Sequence, residues 1–256
     1  MKKVIRYALA GFALYVFFLV ILLPADRIYS LLKSRMSLPV QLYEVDGSVW
    51  QGYAGVAMAG KHRLESVNWE LKVLPLIWGQ LQTRLSFNKG EGNIAGTVGK
   101  SIGGKVFVRD TSAVMPMADI EPMLMNSPIG LSGNVNLQLE NLTVESPLVS
   151  DLKGQVTWNQ AGLASMPDTA IGDFSMIFEP TPEGIKGVLK DKGGPLQAEG
   201  LLNLKSDGNY KFTGKFSSAD PARGDIKQAL RFFGTPSPDG KVSITYSGKL
   251  DLGKYL

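Results

Sequence analysis

The sequence predicts a mainly β protein: a long antiparallel meander curled into a half-barrel or groove, with two short helices and one N-terminal transmembrane helix. The first observation behind this is alternation of apolar and polar residues with period two, repeated in segment after segment from residue 40 onward. The second is the 29 glycines, which fall between and within those segments as turn and close-approach residues rather than in linkers. The third is an uncharged apolar run near the N-terminus.

That run, residues 7–23, reads YALAGFALYVFFLVILL. As a helix it extends about 26 Å, close to the roughly 30 Å of a bilayer core. A cleaved signal peptide is the competing reading, since Lys2 and Lys3 form a basic n-region and Ala25 offers a small residue; the bulky Leu23 and the length of the run favour an uncleaved anchor. Lys2, Lys3 and Arg6 precede the run while Arg27, Lys33 and Arg35 follow it, so the charge rule for orientation is nearly tied, and the short basic tail favours an inside N-terminus. The expected organisation is a cytoplasmic tail over 1–6, the anchor over 7–24, a membrane-proximal segment over 25–39 and a β-rich domain over 40–256. Residues 26–36 keep a helical spacing through Ile28, Leu31 and Leu32.

Beyond Pro39 the period becomes two. The run GSVWQGYAG reads as a strand bent at its glycines, and Val67, Trp69, Leu71 and Val73 form a one-faced strand that Pro75 stops. Leu81, Thr83, Leu85 and Phe87 follow. Residues 113–125 turn helical, with Met117, Ile120, Met123 and Leu124 on one side and Asp119 and Glu121 on the other. Strands resume through Leu131–Leu139, Leu152–Trp158, Phe174–Phe178 and Ile185–Leu189, a second helix is expected over 226–233 with Ile226, Ala229, Leu230 and Phe233 on its apolar side, and a last strand runs from Val242 to Leu252. About ten to thirteen strands result, in one continuous sheet.

Residues 193–216 show the repeating device. A two-residue Asp207-Gly208 loop would place Leu204 opposite Lys211 on one face, which alternation forbids. A three-residue loop, Ser206-Asp207-Gly208 with Gly208 left-handed, instead sets Leu204 against Tyr210, Leu202 against Phe212 and Gly200 against Gly214. Only Leu201 breaks the pattern. Such a sheet must bury its apolar face by curling, or offer it to a ligand or partner. Leu202, Leu204, Tyr210, Phe212, Phe216, Val242, Ile244 and Tyr246 are the candidate lining of an apolar groove, and the glycines on the same face permit curvature.

Catalytic chemistry has no constellation to rest on. The chain has no cysteine, so disulfides, thiolate metal sites and Cys nucleophiles are excluded, and the single His62 lies between basic neighbours in a predicted turn. No HExxH or phosphate-loop motif occurs, and no metal or cofactor site is expected. Asp119 and Glu121 are two apart on a predicted helix and point away from each other. Setting Lys2, Lys3 and Arg6 aside leaves only +1 of the chain's net charge of +4, which argues against a nucleic-acid partner. Lys186, Lys190, Lys205, Lys211 and Lys215 read as a solvated sheet face, with contact to anionic lipid or an acidic partner as the alternative.

The basic tail and anchor, GSVWQG, WELKVLPLIWGQL, GLSGNVNLQLENL, KGQVTWNQAGL, GVLKDKGGPLQAEGLLNLKSDGNYKFTGKF and IKQALRFFGTPSPDGKVSITYSGKL, in this order and spacing, resemble the type II secretion system protein N family. The resemblance covers nearly the whole chain. It implies a single-pass protein of the Gram-negative inner membrane, with a periplasmic β-rich domain, that serves export of folded proteins across the outer membrane. Its implied partners are other subunits of the secretion platform and the outer-membrane pore, and it implies no catalytic residues. The meander also resembles AsmA-like envelope proteins, which implies a groove suited to lipid chains.

Overall fold

The computed structural model of the chain describes residues 2–36, 38–124, 130–145, 148–164, 170–231 and 234–250. They form two compact units, 1–89 and 90–256. Within each unit the strands are antiparallel and neighbours in space are neighbours in sequence. Thirteen strands are present among the described residues, at the upper end of the expected range.

The first unit contains α1 (Lys2–Ile21), α2 (Ala25–Arg35), β1 (Val40–Gly47), β2 (Gln51–Ala59), β3 (His62–Lys72), α3 (Val73–Ile77) and β4 (Gln80–Lys89). Pro24 separates the first two helices, since it cannot donate to the preceding turn and its extended backbone caps the next. Along α1 the side chains of Tyr7, Leu9, Phe12, Leu14, Tyr15, Val16, Phe18, Leu19, Val20 and Ile21 are exposed. Among the described residues no helix is long and apolar enough to cross a membrane. The core of this unit is small: Ala54, Ala57 and Val67 are buried, with Leu42, Val45, Leu64, Trp69 and Phe87 packed around them.

Two expectations change here. Within GSVWQG a turn over 48–50 separates two strands in place of one bent strand, because Gly47 takes a φ of +85° and the Ser48 N–H closes onto the Gln51 carbonyl at 2.8 Å. Trp50 therefore joins neither face, and its indole N–H donates to the Val20 carbonyl at 2.8 Å. Strand β3 also ends before Val73, which opens α3; Pro75 lies inside that short helix, in the first turn where its missing N–H costs nothing.

The second unit contains β5 (Gly92–Ser101), β6 (Val106–Pro116), α4 (Met117–Leu124), β7 (Leu131–Glu145), β8 (Leu148–Leu163), β9 (Gly172–Thr181), β10 (Gly184–Asp191), β11 (Leu196–Lys205), β12 (Asn209–Ser218), α5 (Gly224–Arg231) and β13 (Val242–Lys249). The helix expected over 113–125 begins only at Met117. Ala113 and Met115 remain in β6, paired with Leu137 and Val135 of β7, because ladder hydrogen bonds to a long neighbouring strand outweigh a local helical spacing. The side chains of Met123 and Leu124, and all of Met125, lie outside the described residues. Glu121 does not face solvent: it is 3% exposed, and its two carboxylate oxygens accept the Gly130 and Leu131 N–H groups at 3.1 and 2.9 Å. It ties α4 to the start of β7, which is how a buried carboxylate is tolerated.

Three strand irregularities fall at non-glycine residues with left-handed backbone, Ser66, Asp110 and Gln160, each beside a shift of register. These bulges re-aim the ladder at positions that alternation alone does not mark. The central core of the second unit is Ala161, Phe174 and Ala198, with Trp158, Leu189, Leu196 and Phe216 against it. Trp158 lies 5.9 Å from Phe174 between ring centroids and donates its indole N–H to the Ser132 carbonyl at 3.0 Å.

Candidate functional site

The eight residues expected to line an apolar groove lie on three adjacent strands, β11, β12 and β13. The three-residue loop is present: Gly208 has a φ of +85° and its N–H reaches the Lys205 carbonyl at 3.0 Å. The Asp207 carboxylate accepts the backbone and side-chain N–H groups of Asn209 at 2.9 and 2.8 Å. Those two bonds hold Asp207 below the usual carboxylate range. The register follows as expected, Leu204 against Tyr210, Leu202 against Phe212 and Gly200 against Gly214.

Strand β13 continues the same rows. Phe212 pairs with Tyr246, Gly214 with Ile244 and Phe216 with Val242. Directly opposed residues point to one side of a sheet, so Leu202, Leu204, Tyr210, Phe212, Phe216, Val242, Ile244 and Tyr246 share one face. The rows also continue into β10 and β9, where Gly187 opposes Leu202 and Phe178, and Leu189 opposes Gly200 and Met176.

The glycines in these rows are seats for aromatic rings. A Cβ on Gly200 would lie 2.8 Å from the Phe212 ring, and one on Gly214 would meet Phe216 at 2.7 Å and Phe212 at 3.0 Å. Without side chains at those positions the rings lie over the neighbouring strand instead of standing away from the sheet.

Cover on this face is unequal. At one end Val242 is 1% exposed, because Ile226 and Leu230 of α5 are buried against it, with Leu196, Phe216 and Ile244 around them. Ile226 and Leu230, both expected on the apolar side of this helix, are the residues that make the contact. Ala229, expected on the same side, is exposed, and Phe233 lies outside the described residues. At the other end Tyr246 is 64% exposed, with its ring centroid 6.0 Å from that of Tyr210. Desolvation, and then the nearby Tyr246, push the Tyr210 phenol above its ordinary value. A hollow of about 480 Å³ at that end is lined by Ile185, Leu204 and Tyr210 among polar residues.

The opposite face carries the exception to the alternation, Leu201. Leu201 pairs with Val188 and Thr213, and a hollow of about 850 Å³ is lined there by Val188, Leu201 and Thr213 with Lys186, Lys190 and Lys215. The residue that breaks the alternation thus joins an apolar spot on the lysine face. Its signal was present: Val188 and Leu201 both depart from the polar register of their strands.

Among the described residues no group of three or more His, Asp or Glu could hold a metal ion. His62 is exposed at the first position of β3, and Asp119 and Glu121 do not form a pair.

The chain is similar to known proteins along nearly its whole length. Residues 39–245 match the family model described as type II secretion system protein N. It is 27% identical to the type II secretion system protein N of Aeromonas hydrophila, over 98% of this chain and 100% of that one. The corresponding figure for the protein of that name from Vibrio cholerae is 24%, over 98% and 100%. The protein of that name from Pectobacterium carotovorum matches at 28% over 48% of this chain. No solved structure matches.

Proposed function

Since the chain belongs to the type II secretion system protein N family, we propose that it is an accessory inner-membrane subunit of that machinery, acting by structural interaction in the export of folded proteins. The observation that carries this is the family match over residues 39–245, which takes in all of the strands from β1 to β12 and part of β13. In this reading residues 7–24 are a single-pass anchor, residues 1–6 are a cytoplasmic tail and residues 40–256 are periplasmic. The apolar side chains exposed between Tyr7 and Ile21 support the anchor, because a stretch of helix apolar on all sides needs a non-aqueous surrounding. The partners are the other platform subunits and the outer-membrane pore. Photo-crosslinking in intact membranes should recover platform subunits; recovery of none, with export unimpaired when the gene is deleted, would refute the reading.

A second reading, binding of lipid chains on the apolar face, is favoured by the uneven cover of that face, buried at Val242 and exposed at Tyr246. Native mass spectrometry of the protein released from detergent is expected to show bound acyl chains, and their loss in Phe212→Asp with the sheet intact by circular dichroism. Absence of lipid from the wild-type protein would count against it.

A further inference from the structure

We infer that α3 and the residues after it form a second membrane contact, inserted into the lipid surface beside the exit of α1. This rests on the reading of α1 as an anchor. Between Lys72 and Arg84 the sequence holds no charge. Within that stretch Val73, Leu74, Leu76, Ile77, Trp78 and Leu81 are all exposed, with Leu74, Ile77 and Trp78 at 70%, 73% and 74%. None of the residues of α3 is buried against the sheet. Exposed apolar residues scattered singly are ordinary, but a contiguous cluster of this kind marks a surface made for a partner.

The partner follows from where the cluster sits. In an antiparallel meander the β1–β2 and β3–β4 connections emerge at the same end. The end of α1 and the residues just after it are fastened to that end: the Val49 N–H donates to the Leu23 carbonyl at 3.0 Å, and the Trp50 indole to the Val20 carbonyl at 2.8 Å. The Trp50 carbonyl in turn accepts the Leu71 N–H at 2.6 Å, two residues before α3 begins. Helix α2 then carries the chain back along β1, where the Tyr29 hydroxyl accepts the Leu42 N–H at 2.8 Å. The point at which an anchor would leave the bilayer and the apolar α3 are thus joined through one tryptophan.

The composition suits a lipid interface rather than a protein groove. Trp78 provides an amphipathic ring of the kind found at headgroup depth, and Lys72 and Arg84 bracket the uncharged stretch. Gly79, with a φ of +68°, ends the helix and turns the chain back into β4, so the segment makes a shallow loop. Two contacts would fix the tilt of the first unit on the membrane, where a single helix leaves it free to swing.

The test uses the full chain, which has no native cysteine. Ile77→Cys, Lys61→Cys and Leu14→Cys are each labelled with an environment-sensitive fluorophore and reconstituted in phosphatidylethanolamine–phosphatidylglycerol vesicles carrying shallow or deep doxyl quenchers. Ile77 and Lys61 are exposed, so neither change disturbs the fold, and Lys61 lies in the β2–β3 turn at the far end of the unit. The label at 77 should lose about half of its emission to the shallow quencher and less to the deep one, as burial by roughly 5–10 Å requires. The label at 61 should be unaffected and the label at 14 quenched most by the deep probe. A label at 77 that behaves like the one at 61, with 14 still quenched, overturns the second contact and leaves the anchor standing. An unquenched label at 14 overturns the anchor, and the inference with it.

Discussion

Helices α3 and α5 are the same device used to opposite effect. Each is a short helix at the end of a strand in a meander, one in each unit. In α5 the apolar residues Ile226 and Leu230 are four apart and the rest of the surface is polar or small, so one side closes on Val242 while the other meets water. In α3 the sequence VLPLI has no polar side to give to water, and nothing in it is buried. Amphipathic spacing lets a helix settle on its own sheet; uniform apolarity on a helix too short to be wrapped by protein points outward to another solvent.

The largest expected effect breaks the covered side of this comparison. Ile226→Ala should cost about 2–5 kcal/mol in urea unfolding followed by circular dichroism, as removal of a buried side chain that leaves a cavity does. Next in size is the ring seat beneath: Gly200→Ala should cost about 1–3 kcal/mol by displacing Phe212. The double variant with Phe212→Leu should recover part of that loss, which a double-mutant cycle measures. An additive result would mean that the ring is not seated on Gly200.

A smaller effect is expected from acid. The Arg223 side chain, with hydrogen bonds at 2.8 and 2.9 Å, holds Asp225 in the first turn of α5 at a pKa of about 2. A carboxyl depressed on folding stabilises the fold above its unfolded value and loses that contribution as pH falls through the folded one. The docking of α5 should therefore loosen between about pH 4 and pH 2. Cleavage in α5 by pepsin should rise over that window relative to Asp225→Asn, which lacks the dependence. The smallest effect sharpens the uncovered side. Ile77→Ser should change stability by less than about 0.5 kcal/mol, as surface substitutions do. A loss comparable to that of Ile226→Ala would show that α3 is packed after all.

Much of this was legible. Period-two alternation fixes which side chains share a face, and excluding an apolar residue opposite Lys211 was enough to choose the loop and register of β11 and β12. The spacing of Ile226 and Leu230 likewise announced the covered face of α5. The onset of α3 was not legible, because Val73 continues the alternation of Val67, Trp69 and Leu71 and differs only in the backbone it adopts. Glu121 was misread for a related reason. A local spacing shows two carboxylates diverging, while the N–H groups that hold one of them come from residues nine and ten positions later.

The sequence by itself determined the β class, the faces of the last three strands and the apolar N-terminal run, since each follows from short-range periodicity and hydropathy. Tertiary structure alone decided where cover falls on the apolar face, that the glycines seat rings, and that Trp50 joins the end of α1 to the end of β3. Those depend on contacts between residues far apart in the chain, whose geometry is set only when the strands pair and the side chains compete for the same space.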